Sequence, residues 1–212
     1  MKVQLLTRPY KQMIGLARYT ECLCQAMAEA GITYSVAQPV HPWFVNAGHR
    51  LLQPLAFDLK TFFTTYPLSA SPLVGDALTH LTAQQMAVLL WFQPRLHPVV
   101  VTVHDIVPFL VRSDRGQTTF RHPLDGFFDE WAMKGLNRAD MLISVSRHTK
   151  QTVVNALNVP ADKIEVIYEG VRHDIFRPVY LDGRFYQHYG LDPDLRYLLY
   201  VCLLYTSPSP RD

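Results

Sequence analysis

Lys163-Ile164-Glu165-Val166-Ile167-Tyr168-Glu169-Gly170-Val171-Arg172-His173-Asp174-Ile175-Phe176-Arg177-Pro178 is the stretch on which the fold turns. A short strand over 163–167 runs into Glu-Gly and leaves through a Val-x-x-x-x-Phe-x-Pro exit. Such a segment ends one α/β domain and leads the chain toward another. Upstream of it, strand-length apolar runs alternate with helical patterns, the signature of a mainly parallel sheet with helices on both faces.

The strands are predicted at 3–6, 33–37, 77–81, 99–104 and 141–145. The 99–104 run is apolar almost throughout, as a strand covered on both faces requires. Helices are predicted at 16–30, with Gly31 as a left-handed stop, near 84–92, at 127–137, and from a Ser146 cap to about 157. Residues 38–76 are broken by Pro39, Pro42, Pro54, Pro67 and Pro72, with a strand expected at 60–64. Residues 106–122 read as a loop, 178–194 as a linker, and 196–201 as the opening strand of a second domain. The resulting division is 1–178, a Rossmann-like domain; 179–201, a linker and first strand; and 202–212, a tail. The tail resembles the translation of a sequencing-library adapter, so the expectation is that it is not native and that the natural frame is interrupted after Val201.

The totals exclude several classes. With 212 residues, 49% hydrophobic, the chain can bury a sizeable core. A net charge of +2 with no Lys/Arg run argues against nucleic acid. No apolar run approaches membrane-spanning length. Cys22 and Cys24 fall about 200° apart on a helix, so they neither bridge nor share a metal. Free thiols and no export signal point to the cytoplasm. The nine histidines show no metal-ligand spacing, and Asp192-Pro193-Asp194 is a turn sequence. The glycine signatures of a P-loop, a Gly-x-Gly-x-x-Gly turn and a serine-hydrolase elbow are missing.

In an open parallel sheet, ligands bind beyond the carboxyl ends of the strands. Four loops lie there. Gly15, with Arg18 in the following turn, is either a plain strand-to-helix turn or a place where a helix N-terminus receives a diphosphate. His104-Asp105 is either a backbone-bonded histidine beside a capping aspartate or a pair that bonds sugar hydroxyls. Ser146 and Thr149 read as caps of the following helix, while Ser144 or the free N–H groups there are candidates to face a ligand. Glu169-Gly170 faces a cleft or opens the linker. Phe128 and Trp131 read as helix core.

Gly15-Leu16-Ala17-Arg18-Tyr19-Thr20, Thr79-His80-Leu81-Thr82, Val101-Thr102-Val103-His104-Asp105-Ile106-Val107-Pro108, Arg138-Ala139-Asp140-Met141-Leu142-Ile143-Ser144-Val145-Ser146 and the 163–178 run stand in the order found in family 4 retaining glycosyltransferases, and the chain resembles their N-terminal domain over 1–201. The resemblance implies half of a GT-B fold: two Rossmann-like domains facing across a cleft. It implies a hexosyltransferase that moves a sugar from a nucleotide-sugar donor to a carbohydrate or lipid acceptor with retention, without metal or cofactor, at the cytoplasmic face of a membrane in many members. His104 becomes the candidate catalytic residue facing the sugar. Gly15 and Arg18 become donor-diphosphate contacts, and Asp105, Ser144, Glu169 and Gly170 acceptor or cleft residues. In the family, the C-terminal half grips the donor with a basic pair and a Glu-seven residues-Glu motif. The resemblance covers only the N-terminal half, so the fragment alone is expected to be inactive, its missing partner being the C-terminal domain of its own chain. Three alternatives remain at this point. One is another GT-B enzyme, such as a sugar-nucleotide epimerase. The second is a non-catalytic flavodoxin-like binding domain. The third is a regulatory or scaffold domain derived from a transferase.

Overall fold

The structure, a computed structural model, describes residues 2–9, 14–45, 48, 58–93, 96, 98–114, 116, 118–120 and 122–199. The chain divides into two compact units, Met1–Glu169 and Gly170–Asp212.

The first unit is an α/β Rossmann-like layer. Its strands are β1 (Lys2–Leu6), β2 (Thr33–Pro39), β3 (Ala70–Ser71), β4 (Leu78–Leu81), β5 (Val99–Val103), β6 (Met141–Ser144) and β7 (Ile164–Val166). They form one sheet in the order β3-β2-β1-β4-β5-β6-β7. Every pairing is parallel except β2 with β3. Apolar side chains from the central strands, including Leu6, Leu81, Val101, Val103 and Leu142, close the core. Fully burying such a side chain stabilises by about 1.5–3 kcal/mol.

The helices follow the sequence where capping chemistry dictates them. α1 (Ile14–Glu29) ends before Gly31, whose φ is +69°. α6 (Arg147–Leu157) starts at Ser146, whose Oγ accepts from the Thr149 N–H at 3.0 Å. α5 (Pro123–Gly135) starts earlier than its apolar pattern, because Pro123 opens it and Asp125 accepts from the His122 N–H at 3.1 Å. Residues 84–92 split into a 3-10 helix, Gln84–Val88, and α3 (Leu89–Phe92). Phe128 and Trp131 pack against the core, as the sequence indicates.

Four expectations are corrected. Residues 60–64 are not a strand but the body of α2 (Leu59–Thr65), because Asp58 Oδ1 accepts from the N–H groups of Lys60 and Thr61 and nucleates a helix. The 106–122 loop contains α4 (Val107–Leu110), for which Asp105 Oδ1 accepts from the Val107 N–H at 3.0 Å. The supposed linker holds α7 (Gly183–Tyr189), capped by Asp182 and closed by left-handed Gly190. Residues 196–199 join no strand. A strand exists only as one of a hydrogen-bonded pair, and none pairs with this segment among the described residues of the second unit. Val201 and the 202–212 tail lie outside the described residues.

The strand order fixes where a ligand belongs. From β1 the chain passes to β2 on one side, then crosses to β4 on the other. The β1/β4 junction is therefore a topological switch point, the place at whose carboxyl ends open α/β sheets bind ligands. Among the described residues, no helix is long and apolar enough to cross a membrane.

Candidate functional site

Residues that directly follow the parallel strands share one rim: Thr7 and Arg8 after β1, Thr82 after β4, His104 after β5, and Glu169 three residues past β7. His104 is the hub. Its Nδ1 lies 3.0 Å from Glu169 Oε1 and its Nε2 lies 3.0 Å from the Thr82 carbonyl oxygen. Its main chain is held as well. The His104 N–H donates to Gln84 Oε1 at 3.3 Å, and Thr149 Oγ1 donates to the His104 carbonyl at 3.3 Å. The Tyr19 ring stands edge-on to the imidazole, with centroids 4.9 Å apart. The His104 side chain is 17% exposed and that of Glu169 51%.

A buried polar chain runs beneath this hub. Tyr19 Oη sits 3.0 Å from Thr102 Oγ1, which sits 2.8 Å from His80 Nε2. Burial pushes the His80 imidazole down to about 4, with the charge of His104 adding to the effect. Burial also raises the Tyr19 hydroxyl, partly opposed by its hydrogen bond to Thr102 and assisted by the Glu169 charge.

A second buried cluster adjoins the end of β1. Arg8 Nη2 donates to Gln85 Oε1 at 3.2 Å, and burial lowers its guanidinium to about 10. Asp129, on α5, is raised to about 6 by burial and then by the Asp105 charge. The Tyr66 hydroxyl hydrogen-bonds to it. The Asp129 Oδ2 atom has no hydrogen-bond partner among the described residues.

The candidates named from sequence are placed unevenly. His104 and Glu169 are brought into direct contact. Asp105 is exposed and spends one carboxylate oxygen on the Val107 N–H. Ser144 ends β6 but is fully buried, its hydroxyl donating to the Ser146 carbonyl at 2.8 Å. Gly15 and Arg18 are exposed in the first turns of α1, and a side chain at Gly15 would meet open space. Residues 10–13, which precede that turn, lie outside the described residues. Gly170 is exposed and begins the second unit. Sequence reading left out Tyr19, Thr82 and Gln84. Tyr19 falls on the apolar stripe of α1, and only its polar tip hinted at more than packing.

Beyond Asp105, α4 leads to an open groove of about 450 Å³ lined by Arg112, Ser113, Thr118, Phe120, His122 and Glu130, among others. A guanidinium, two hydroxyls, a carboxylate and a ring edge suit a polyhydroxylated ligand, which offers both donors and acceptors. Among the described residues, no group of three or more His, Cys, Asp or Glu side chains is placed to hold a metal ion.

Comparison with known proteins adds the following. The family model described as Glycosyltransferase Family 4 matches residues 13–175. The search of curated proteins returned no match. Among solved structures, that of Anabaena Alr3699/HepE in complex with UDP is similar at 15% identity, with a TM-score of 0.48. The same protein with UDP and glucose is similar at 16% identity and a TM-score of 0.46. In both comparisons 90% of this chain is covered, and the chain spans 50% of the other.

Proposed function

The chain belongs to glycosyltransferase family 4, and from that membership we propose that it is the acceptor-side half of a retaining transferase that moves a sugar from a nucleotide-sugar donor. One observation carries the reading to the atomic scale: His104 stands at the carboxyl end of central strand β5, fixed by Thr82, Gln84, Tyr19 and Glu169 around one rim. A residue held from four directions, three on its ring and one on its main chain, is positioned in advance. Positioning of this kind can supply about 7–11 kcal/mol of barrier reduction when both reactants are held.

In this reading His104 faces the transferred sugar, and the N-terminal turn of α1, with Gly15 and Arg18, receives the donor diphosphate through helix N–H groups. Asp105 leads toward the acceptor, for which the groove lined by Arg112, Ser113, Thr118 and Glu130 has suitable chemistry. Glu169 and Gly170 border the cleft. No metal or cofactor takes part in the proposed transfer. The reading assigns no turnover to residues 1–201 alone. A carbohydrate or lipid acceptor fits, with contact to a membrane surface where the acceptor is lipid.

The test is a transfer assay on the full-length parent with a panel of nucleotide-sugars. The expected product keeps the anomeric configuration of the donor, read from its proton–proton coupling. His104→Ala is expected to lower kcat/KM by about 100-fold, within the range for removing a group that acts in the transition state. An inverted product, or full activity in H104A, rejects this assignment, and turnover by residues 1–201 rejects the inactivity of the half.

A further inference from the structure

We infer that Glu169 is a positioning residue that controls, through one proton on Nδ1, whether His104 is held shut or offered to a ligand. This goes beyond the proposed function and rests on it only for the ligand's identity as a sugar.

The argument follows from what each partner atom can do. The Thr82 carbonyl can only accept, so the imidazole nitrogen 3.0 Å away, Nε2, carries a hydrogen. An ionised Glu169 carboxylate also can only accept, so Nδ1, at 3.0 Å, carries one too. With Glu169 ionised, the two 3.0 Å contacts together are ones that only a ring carrying both hydrogens can make. When the Nδ1 proton leaves to solvent, a lone pair faces a carboxylate and the contact opens. The Thr82 bond survives, because it needs only Nε2–H. The neutral ring then presents Nδ1 as an acceptor for a hydroxyl hydrogen, with its other nitrogen still anchored.

The relative exposure of the two partners decides which side gives way. Glu169 has a half-exposed side chain at the end of its unit, whereas Thr82 is 1% exposed. Thr82 is further pinned by its own Oγ1–H, which donates to the Leu6 carbonyl at 3.0 Å.

The other groups around the ring do not compete for this proton. Tyr19, from α1, commits its hydroxyl to Thr102. His80, from β4, is buried and bonded to the same Thr102. Gln84, from the 3-10 helix, and Thr149, from α6, are uncharged and hold the main chain. Asp105 turns a carboxylate oxygen to the Val107 N–H. Among the described residues, Glu169 is the anion that hydrogen-bonds the ring.

The test is a long-range nitrogen–proton NMR titration of the His104 ring in the intact chain, for wild type, Glu169→Gln and Glu169→Asp. In the wild type, the neutral ring is expected to keep its hydrogen on Nε2. In E169Q the amide NH2 can donate to bare Nδ1, so the ring is expected to bind its second proton at least threefold more weakly. E169D, which keeps the charge, is expected to fall nearer the wild type. A neutral ring protonated on Nδ1 overturns the inference, as does an E169Q titration within threefold of the wild type. If E169Q does not fold, the wild-type tautomer and E169D decide. These spectra need no substrate, so failure of the transferase reading leaves them unchanged.

Discussion

His80 and Asp129 are buried titratable groups whose effects on folding oppose each other. His80 is 4% exposed and pushed down to about 4 from 6.5. Between those values the unfolded chain binds the proton first, so its contribution to stability is lost as pH falls from 6.5 through 4. Asp129 is 2% exposed and raised to about 6 from 3.8. Here the folded chain binds the proton first, so stability is lost as pH rises from 3.8 through 6. Each effect is on the order of 3 kcal/mol when complete, so between pH 4 and 6 they largely offset. Asp129→Asn is expected to gain on the wild type by up to about 3 kcal/mol as pH rises from 4 to 7. His80→Gln is expected to gain on it as pH falls over the same range. Urea unfolding at four pH values checks both, and variant curves parallel to the wild type at every pH would count against the assignment.

α5 approaches the 3-10 helix closely at Gly135. A Cβ on Gly135 would lie 2.3 Å from the Ala87 carbonyl oxygen, a contact with backbone. That approach lets Gln84, in the same 3-10 helix, reach both the His104 N–H and the Asp105 carbonyl. Gly135→Ala is therefore expected to cost about 1–3 kcal/mol by overpacking. It is also expected to shift the His104 amide resonance, because the helix carrying Gln84 must move. Ser146→Ala removes one cap and is expected to cost about 1 kcal/mol with little change at that amide. Equal effects of the two variants on the His104 signal would contradict this account. The contrast also marks what local sequence conveys. Ser146 and Gly31 are legible because caps and stops act on their nearest neighbours. Residues 60–64 mislead because the Thr and Phe pattern favours a strand until Asp58 is seen to nucleate the helix. Four-residue α4 is too short to show a period. Gly135 carries no local mark at all, since its requirement comes from Ala87.

At the scale of the molecule, alternating elements make the parallel sheet readable, and Val99–Val103 identifies its buried middle. The switch point between β1 and β4 is not readable in the same way, because strand order depends on how crossovers pack. The site was legible as separate loops. His104 and Glu169 each stand out at a strand end, but their contact joins positions 65 residues apart. Ser144 shows the converse: a correct position at the rim, with a side chain turned inward by the Ser146 carbonyl. Arg138-Ala139-Asp140 has a structural use that its sequence does not announce. Asp140 takes the Val99 N–H on its carboxylate at 2.6 Å and returns its own N–H to the Val99 carbonyl at 2.9 Å, fastening the start of β5. The long reach of the His104 contacts also bears on synthesis. Contacts between distant positions are slow to form, because a long loop must close before they reward it. A nascent chain can assemble its first strands while still on the ribosome, yet its imidazole gains the carboxylate only after residue 169 has emerged, so a half-made protein lacks the finished rim.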